Sequence, residues 1–200
     1  QRNEMKSQTN HDWYHLNGNW NEWQRLEWKF RIPKGFQPTT KFCHLHQLKA
    51  QEGNNGAPLI TISTRCDKDG GNKRVQVIHT GDTRTSGKGV IIDNLPLADF
   101  EDEWIQVETE MHYTHHGTFR IKLTRISDGK VLADQSFADV DLWRKGATSI
   151  RNKFGIYRSL GRKMQSASDR PDNGLKDESL QLADFKVYEA HTNPNPQPHD

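Results

Sequence analysis

Apolar and polar residues alternate in a series of short segments of this sequence, and this alternation limits the folds that the chain can adopt. In residues 23–32 (WQRLEWKFRI), every second position from Leu26 to Ile32 is apolar, and charged residues occupy the positions between them. Successive side chains of a β-strand point to opposite faces, so this period of two predicts a strand with one buried face.

Similar segments recur between turns rich in Gly, Asn and Asp. They lie at 41–50, 58–65, 73–79, 103–113, 118–126, 150–159 and 179–190. Short linkers at 51–57 and 115–117 predict two antiparallel hairpins. No long helical period and no internal repeat is found. Many strands and little helix predict an all-β antiparallel β-sandwich or jelly roll, in which the concave face of one curved sheet forms a ligand cleft.

The composition excludes several classes of protein. The 200 residues suffice for one substantial core, and we place that domain at 1–190, followed by a Pro/Asn-rich tail or linker at 191–200. With 28 basic and 26 acidic residues, the net charge of +2 is too balanced to indicate a nucleic-acid partner. No apolar run approaches the length of a membrane-spanning helix, so no membrane partner is expected.

Two segments place polar side chains where a strand of the core does not need them. In the first, Arg2, Glu4 and Lys6 share a face. In the second, Lys153 and Tyr157 share a face across an intervening glycine. A glycine within a strand often marks a close approach to the backbone, so we expect a ligand to sit between the amine and the phenol.

A third segment, 43–49, offers two faces with different chemistry. One face carries His44 and His46, and the other carries Gln47 and Lys49. A metal site on the histidine face would need a third ligand that the sequence does not identify. The two faces are therefore alternative positions for a general base.

The cysteines bear on this choice. Cys43 and Cys66 fit no metal spacing, and they form either a disulfide or two buried thiols. If they are bonded and the hairpin is regular, Lys49 shares a face with Ile60, which favours His46 as the residue in the cleft. Reduced cysteines or a β-bulge leave the lysine face open.

These segments occur together, in order, in the jelly-roll polysaccharide lyases. RNEM (2–5) resembles their Arg-Ser/Thr-Glu-Leu strand, and EWKFRIPKGFQP (27–38) resembles the second conserved strand and turn. HQLKA (46–50) followed by APLITI (57–62) is similar to the Gln-Ile-His strand of alginate lyases and the next strand. KFGIY (153–157) resembles the Lys-x-Gly-x-Tyr strand that bears their catalytic tyrosine.

The nearest resemblance is to the ulvan lyases of polysaccharide lyase family 28 and to the glucuronan lyases, and more distantly to alginate lyases. It implies a concanavalin-like sandwich that cleaves a 4-linked uronate, in ulvan first and glucuronan next, by β-elimination. The product carries an unsaturated uronate at its new non-reducing end. The resemblance further implies a secreted monomer that acts on an acidic polysaccharide and needs no catalytic cofactor.

The resemblance also implies roles for individual residues. Arg2 and Gln47 neutralise the substrate carboxylate, and Tyr157 protonates the departing oxygen. Lys49 is the preferred base, because Gln47-Leu48-Lys49 stands where alginate lyases have Gln-x-His. Lys153 is expected to bind a substrate anion.

Two further assignments and two competing functions complete the prediction. His46 is the alternative base and otherwise a substrate-binding residue, and Asp184 is a possible ligand of a structural calcium. A non-catalytic carbohydrate-binding module of the same fold would instead use surface aromatics such as Trp13, Trp20 or Trp23. A glycoside hydrolase is disfavoured because no suitably spaced carboxylate pair appears.

Overall fold

The computed structural model describes residues 2–7, 16–83, 85–160 and 175–190. Within these ranges the chain forms strands, with a short 3-10 helix at Leu97–Asp99. The strands are β1 (Arg2–Lys6), β2 (Trp23–Arg31), β3 (Cys43–Gln51), β4 (Ile60–Arg65), β5 (Arg74–His79), β6 (Gly89–Pro96), β7 (Ile105–His112), β8 (Gly117–Arg125), β9 (Val131–Val140), β10 (Ser149–Arg158) and β11 (Gln181–Ala190). The predicted Pro/Asn-rich tail at 191–200 lies outside the described ranges.

The strands form two antiparallel sheets, which confirms the predicted β-sandwich. One sheet has six strands in the order β1-β10-β3-β4-β5-β6, and the other has five in the order β11-β2-β7-β8-β9. Apolar side chains from both sheets fill the space between them, with Trp28, Phe30 and Ile62 fully enclosed. The alternation seen at 23–32 thus marks the inner face of β2, as expected for a half-buried strand.

Strand β6 was not predicted from the sequence. It forms the edge of the six-stranded sheet, and its side chains are mostly exposed, with only Ile92 buried. An edge strand with a single buried position lacks the alternation that identified most of the other strands. No helix in the described ranges is long and apolar enough to cross a membrane.

A β-bulge in β3 decides which of its side chains share a face. His44 pairs with Ser63, whereas His46 pairs with Ile62, so two steps along β3 correspond to one step along β4. The extra residue, Leu45, reverses the alternation between the two histidines. His44 therefore lies on one side of the sheet and His46 on the other.

Cys43 and Cys66 are two free, buried thiols. Cys43 pairs with Thr64 across the hairpin, and burial raises the pKa of its thiol to about 11. The structure contains both a bulge and unbonded cysteines. Either of these conditions allows Lys49 to be the residue in the cleft.

Candidate active site

The side of the six-stranded sheet that points away from the core carries most of the predicted site residues, and we call it the polar face. Its composition follows from strand register, because residues paired across neighbouring strands project on the same side. Its members include Arg2, Glu4, Lys6, His44, Gln47, Lys49, Thr61, Ser63, Arg65, Arg74, Gln76, Arg151, Lys153 and Tyr157.

Tyr157 lies in a row of polar side chains that crosses four strands. It pairs with Arg2 of β1 on one side and with His44 of β3 on the other, and His44 pairs in turn with Ser63 of β4. The Arg2 guanidinium lies 3.9 Å above the centre of the Tyr157 ring, and the His44 ring centre is 5.9 Å from that of Tyr157. The phenol therefore has a cation on one side and an imidazole on the other.

His44 is held as a neutral imidazole with a defined tautomer. Its Nδ1 is 2.7 Å from the Ser63 hydroxyl, and that hydroxyl donates to Thr61 at 3.1 Å. Ser63 Oγ therefore accepts from Nδ1–H, which leaves Nε2 with its lone pair. Burial, followed by the nearby charges of Arg65 and other cations, lowers the pKa of His44 to about 4. Near neutral pH the ring is therefore unprotonated.

The sequence offered His44 only as one member of a face that also held His46. The bulge that separates the two histidines is not visible in the residue pattern. The row that joins His44 to Tyr157 depends on pairing between distant segments, so no local signal identifies it.

Glu4 occupies the centre of the predicted anion-binding residues. Its carboxylate forms ion pairs with Arg2, 3.1 Å from Nε, and with Lys153, 3.7 Å from Nζ, and it accepts a hydrogen bond from the Gln47 amide. The Glu4 side chain is only 4% exposed. The structure thus gathers Arg2, Gln47 and Lys153 around one internal carboxylate, which fixes their positions relative to each other.

The expectation that Gly155 leaves room for a sugar ring is wrong. A Cβ atom at this position would lie 2.2 Å from the Asn3 carbonyl oxygen and 2.7 Å from the Cα of Glu4. Gly155 also has φ of +136°, a conformation that side chains disfavour. The glycine makes space for the backbone of β1, and the close approach predicted from the sequence is that of another strand.

Lys49 lies on the polar face but in a different row from Tyr157. It pairs with Arg151, which is six residues before Tyr157 and so up to about 20 Å away along the strand. Its Nζ donates to the Gly56 carbonyl oxygen at 3.4 Å. Burial and the charges of Arg2 and Arg151 lower the pKa of its amine, as a basic role requires.

His46 points into the core, so the expectation that it contacts substrate is wrong. It is 2% exposed, its Nε2 is 3.1 Å from the Asn152 side-chain oxygen, and its ring packs against Trp28 and Phe154. Burial lowers its pKa to about 4. The bulge at Leu45 is the physical cause, because it turns this residue away from the polar face.

The residues around Asp184 do not fit the predicted calcium site. Its carboxylate accepts a hydrogen bond from Lys29 Nζ at 2.5 Å, and the side chain is well exposed. Across residues 2–7, 16–83, 85–160 and 175–190, no group of three His, Cys, Asp or Glu side chains is placed to hold a metal ion. A cation at Asp184 would have to displace the lysine.

The tryptophans named for a binding module do not line the polar face. Trp23 lies on the outer side of the five-stranded sheet, stacked on His112 with ring centres 4.4 Å apart. Trp20 is 54% exposed and packs edge-on against Trp143. Trp13 lies outside the described residues.

No protein-family model and no curated protein matches the sequence. Among solved structures, the fold is similar to the family 7 alginate lyase A1-II' in complex with substrate, with a TM-score of 0.58, 10% identity, and coverage of 97% of this chain and 72% of that one. It is also similar to a variant of alginate lyase Aly36B in complex with an alginate trisaccharide, with a TM-score of 0.53, 10% identity, and coverage of 87% and 72%. At such low sequence identity these similarities establish the jelly-roll fold. The activity has to be inferred from the residues of the site.

Proposed function

We propose that this protein is a polysaccharide lyase that cleaves 4-linked uronic-acid residues by β-elimination. The observation that carries the proposal is the row on the polar face in which Tyr157 stands between Arg2 and the neutral His44. This row supplies a proton donor, a proton acceptor and a cation within the reach of one sugar ring. The fold shared with alginate lyases supports the same reaction class.

Acidification of C5 is the first requirement of the reaction. The proton on C5 becomes removable when the adjacent carboxylate is neutralised, because negative charge then moves onto that group as the proton leaves. Arg2 offers a planar pair of donors, Gln47 an amide and Lys153 an ammonium. Glu4 holds all three donors in place before substrate arrives, which limits the reorganisation that binding requires.

Proton transfer then completes the elimination. A base takes the proton from C5, the C5–H electron pair forms the C4–C5 double bond, and the C4–O4 bond breaks. Tyr157 donates its phenolic proton to the departing O4. We assign the base to His44, whose ring centre lies 5.9 Å from that of Tyr157. We keep Lys49 as the alternative because its amine has a lowered pKa on the same face.

For the substrate, we propose ulvan first and glucuronan second, on the basis of the Gln47-Leu48-Lys49 sequence. Alginate is the third polymer to be tested, because the structural neighbours are alginate lyases. An acidic polymer suits the polar face, where cationic side chains outnumber the single carboxylate of Glu4 in the rows around Tyr157. The proposal includes a secreted monomer, as the sequence suggested.

The test is ultraviolet absorbance during incubation with ulvan, glucuronan and alginate. Elimination creates a conjugated double bond that absorbs where the substrate does not, and hydrolysis creates none. A rise with one polymer supports the lyase and names its substrate. Binding to one of these polymers with no rise from any of them would contradict the lyase and favour a carbohydrate-binding module.

A further inference from the structure

Arg65, at the end of β4, is a cation of the polar face to which neither the predicted nor the proposed site assigns a role. It lies two residues beyond Ser63, about 7 Å along the strand, and so projects on the same side as Ser63 and His44. Its charge is one of the causes that lower the pKa of His44. Arg65 is therefore a close neighbour of the proposed base.

The acidic neighbour that acts on the charge of Arg65 is Asp93, which is already ion-paired with Arg74. Its partner across the strands is another cation, Arg74, which is ion-paired with Asp67 at 2.9 Å and with Asp93 at 3.4 Å. Within the described residues, Arg65 itself has no hydrogen-bond or ion-pair partner, and its Nε is buried without an acceptor. The side chain as a whole remains partly exposed.

Such an arrangement is unfavourable in the free protein. A partly buried guanidinium beside a second guanidinium loses hydration and gains repulsion. A bound anion offsets both effects, because a carboxylate or a sulfate accepts two parallel hydrogen bonds from the planar guanidinium.

We propose that Arg65 forms an anion subsite next to the Tyr157–His44 row and binds the carboxylate or sulfate ester of the sugar adjoining the cleaved bond. The identity of this ligand rests on the proposed function. The subsite selects for polymers that carry a second acidic group near the reacting uronate.

The experiment measures binding by calorimetry in a Tyr157→Phe background, so that oligosaccharides are not consumed. The ligands are an unsulfated glucuronan oligosaccharide and a sulfated ulvan oligosaccharide. We expect Arg65→Gln to weaken binding at least tenfold, since a charge-assisted bidentate contact is lost. Arg65→Lys, which keeps the charge but not the fork, should give an intermediate loss.

The matched control is Arg31→Gln on the outer side of the other sheet, where Arg31 pairs with the exposed Asp102. It removes the same charge and should change binding less than twofold. Weakening by Arg65→Gln for both ligands identifies the bound group as a carboxylate, and weakening for the ulvan ligand alone identifies a sulfate ester. Thermal unfolding of each variant verifies that it is folded.

Equal affinities of the Arg65→Gln and Arg31→Gln variants would overturn the subsite, as would failure of the Tyr157→Phe protein to bind either ligand. These outcomes are independent of the lyase test. If the wild-type protein produces the ultraviolet signal and Arg65→Gln keeps its affinity for the oligosaccharides, the subsite is refuted and the lyase proposal stands. Arg65-dependent binding without any ultraviolet signal contradicts the lyase and retains the subsite.

Discussion

At the scale of single residues, the proposed chemistry depends on side chains whose positions are fixed before substrate binds. Arg2 rests on the Tyr157 ring, and Ser63 fixes the tautomer of His44. Each of these contacts joins residues that are far apart in the sequence. Substitutions that preserve shape but remove one proton or one charge therefore test the assignments most directly.

Tyr157→Phe removes the proposed acid and keeps the ring beneath Arg2. We expect the turnover rate to fall by a factor of about 10² to 10⁴, the range typical of a lost general acid or base. Affinity for substrate should change little. The ultraviolet assay measures the loss, and Tyr188→Phe, at an exposed tyrosine of β11, is the control that should keep full activity. Full activity of the Tyr157→Phe protein would refute the assignment.

The pH dependence of kcat/KM distinguishes the two candidate bases. If His44 is the base, it is unprotonated above its pKa of about 4, so the acidic limb of the profile should fall near that pH. If Lys49 is the base, the acidic limb should instead follow the pKa of its amine, which burial and neighbouring cations place below the ordinary lysine value. His44→Asn and Lys49→Met are the paired variants. Only the substitution that removes the base should abolish turnover.

At the scale of elements, strand β1 brings two of the proposed site residues to the polar face, and Gly155 allows it to dock. Arg2 and Glu4 both belong to this five-residue edge strand. The strand pairs with β10 directly across from Gly155, where its backbone approaches most closely. The site is therefore complete only when β1 is paired with β10.

Gly155→Ala should destabilise the docked strand. The added methyl group overlaps the Asn3 carbonyl oxygen, and the backbone at φ of +136° is strained for alanine, so we expect a loss of about 2 kcal/mol or more. Hydrogen exchange of the β1 amides should rise, and activity should fall with it. Gly56→Ala, at a position with no neighbouring atom within 4 Å, is the matched control. Unchanged protection of β1 would count against this account.

At the scale of the whole molecule, two buried histidines link stability to pH. His44 and His46 have pKa values of about 4 in the folded protein and about 6.5 when unfolded. Between these values the unfolded chain binds more protons, so stability is complete above pH 6.5 and falls as the pH drops toward 4. For His46 alone the loss amounts to about 3 kcal/mol.

His46→Gln should remove part of this dependence. We expect the wild-type protein to lose about 3 kcal/mol more stability between pH 7 and pH 4 than the variant does, measured from urea unfolding midpoints. The variant is expected to be less stable at pH 7, because the ring packs against Trp28 and Phe154. Parallel pH curves for the two proteins would show that His46 is not the group that titrates.

The fold class and most of the strands can be predicted from the order of the residues. Period-two alternation is a local property, and it identified the buried face of β2 from Leu26 to Ile32 and the shared face of Lys153 and Tyr157. It missed β6 because an edge strand buries too little to show a pattern. These results follow from burial along a single strand, which the residue order records directly.

The way in which the strands combine into a site depends on contacts between segments that are distant in the sequence. The bulge at Leu45 sent His44 to the polar face and His46 to the core, although the two are separated by a single residue. Close packing of β1 explained Gly155, and an ion pair with Lys29 occupied Asp184. Register, bulges and pairing between distant segments set these contacts, and a one-residue shift exchanges the two faces of a strand. The proposed site therefore depends on how distant strands pair, whereas the fold class follows from the residue pattern within each strand.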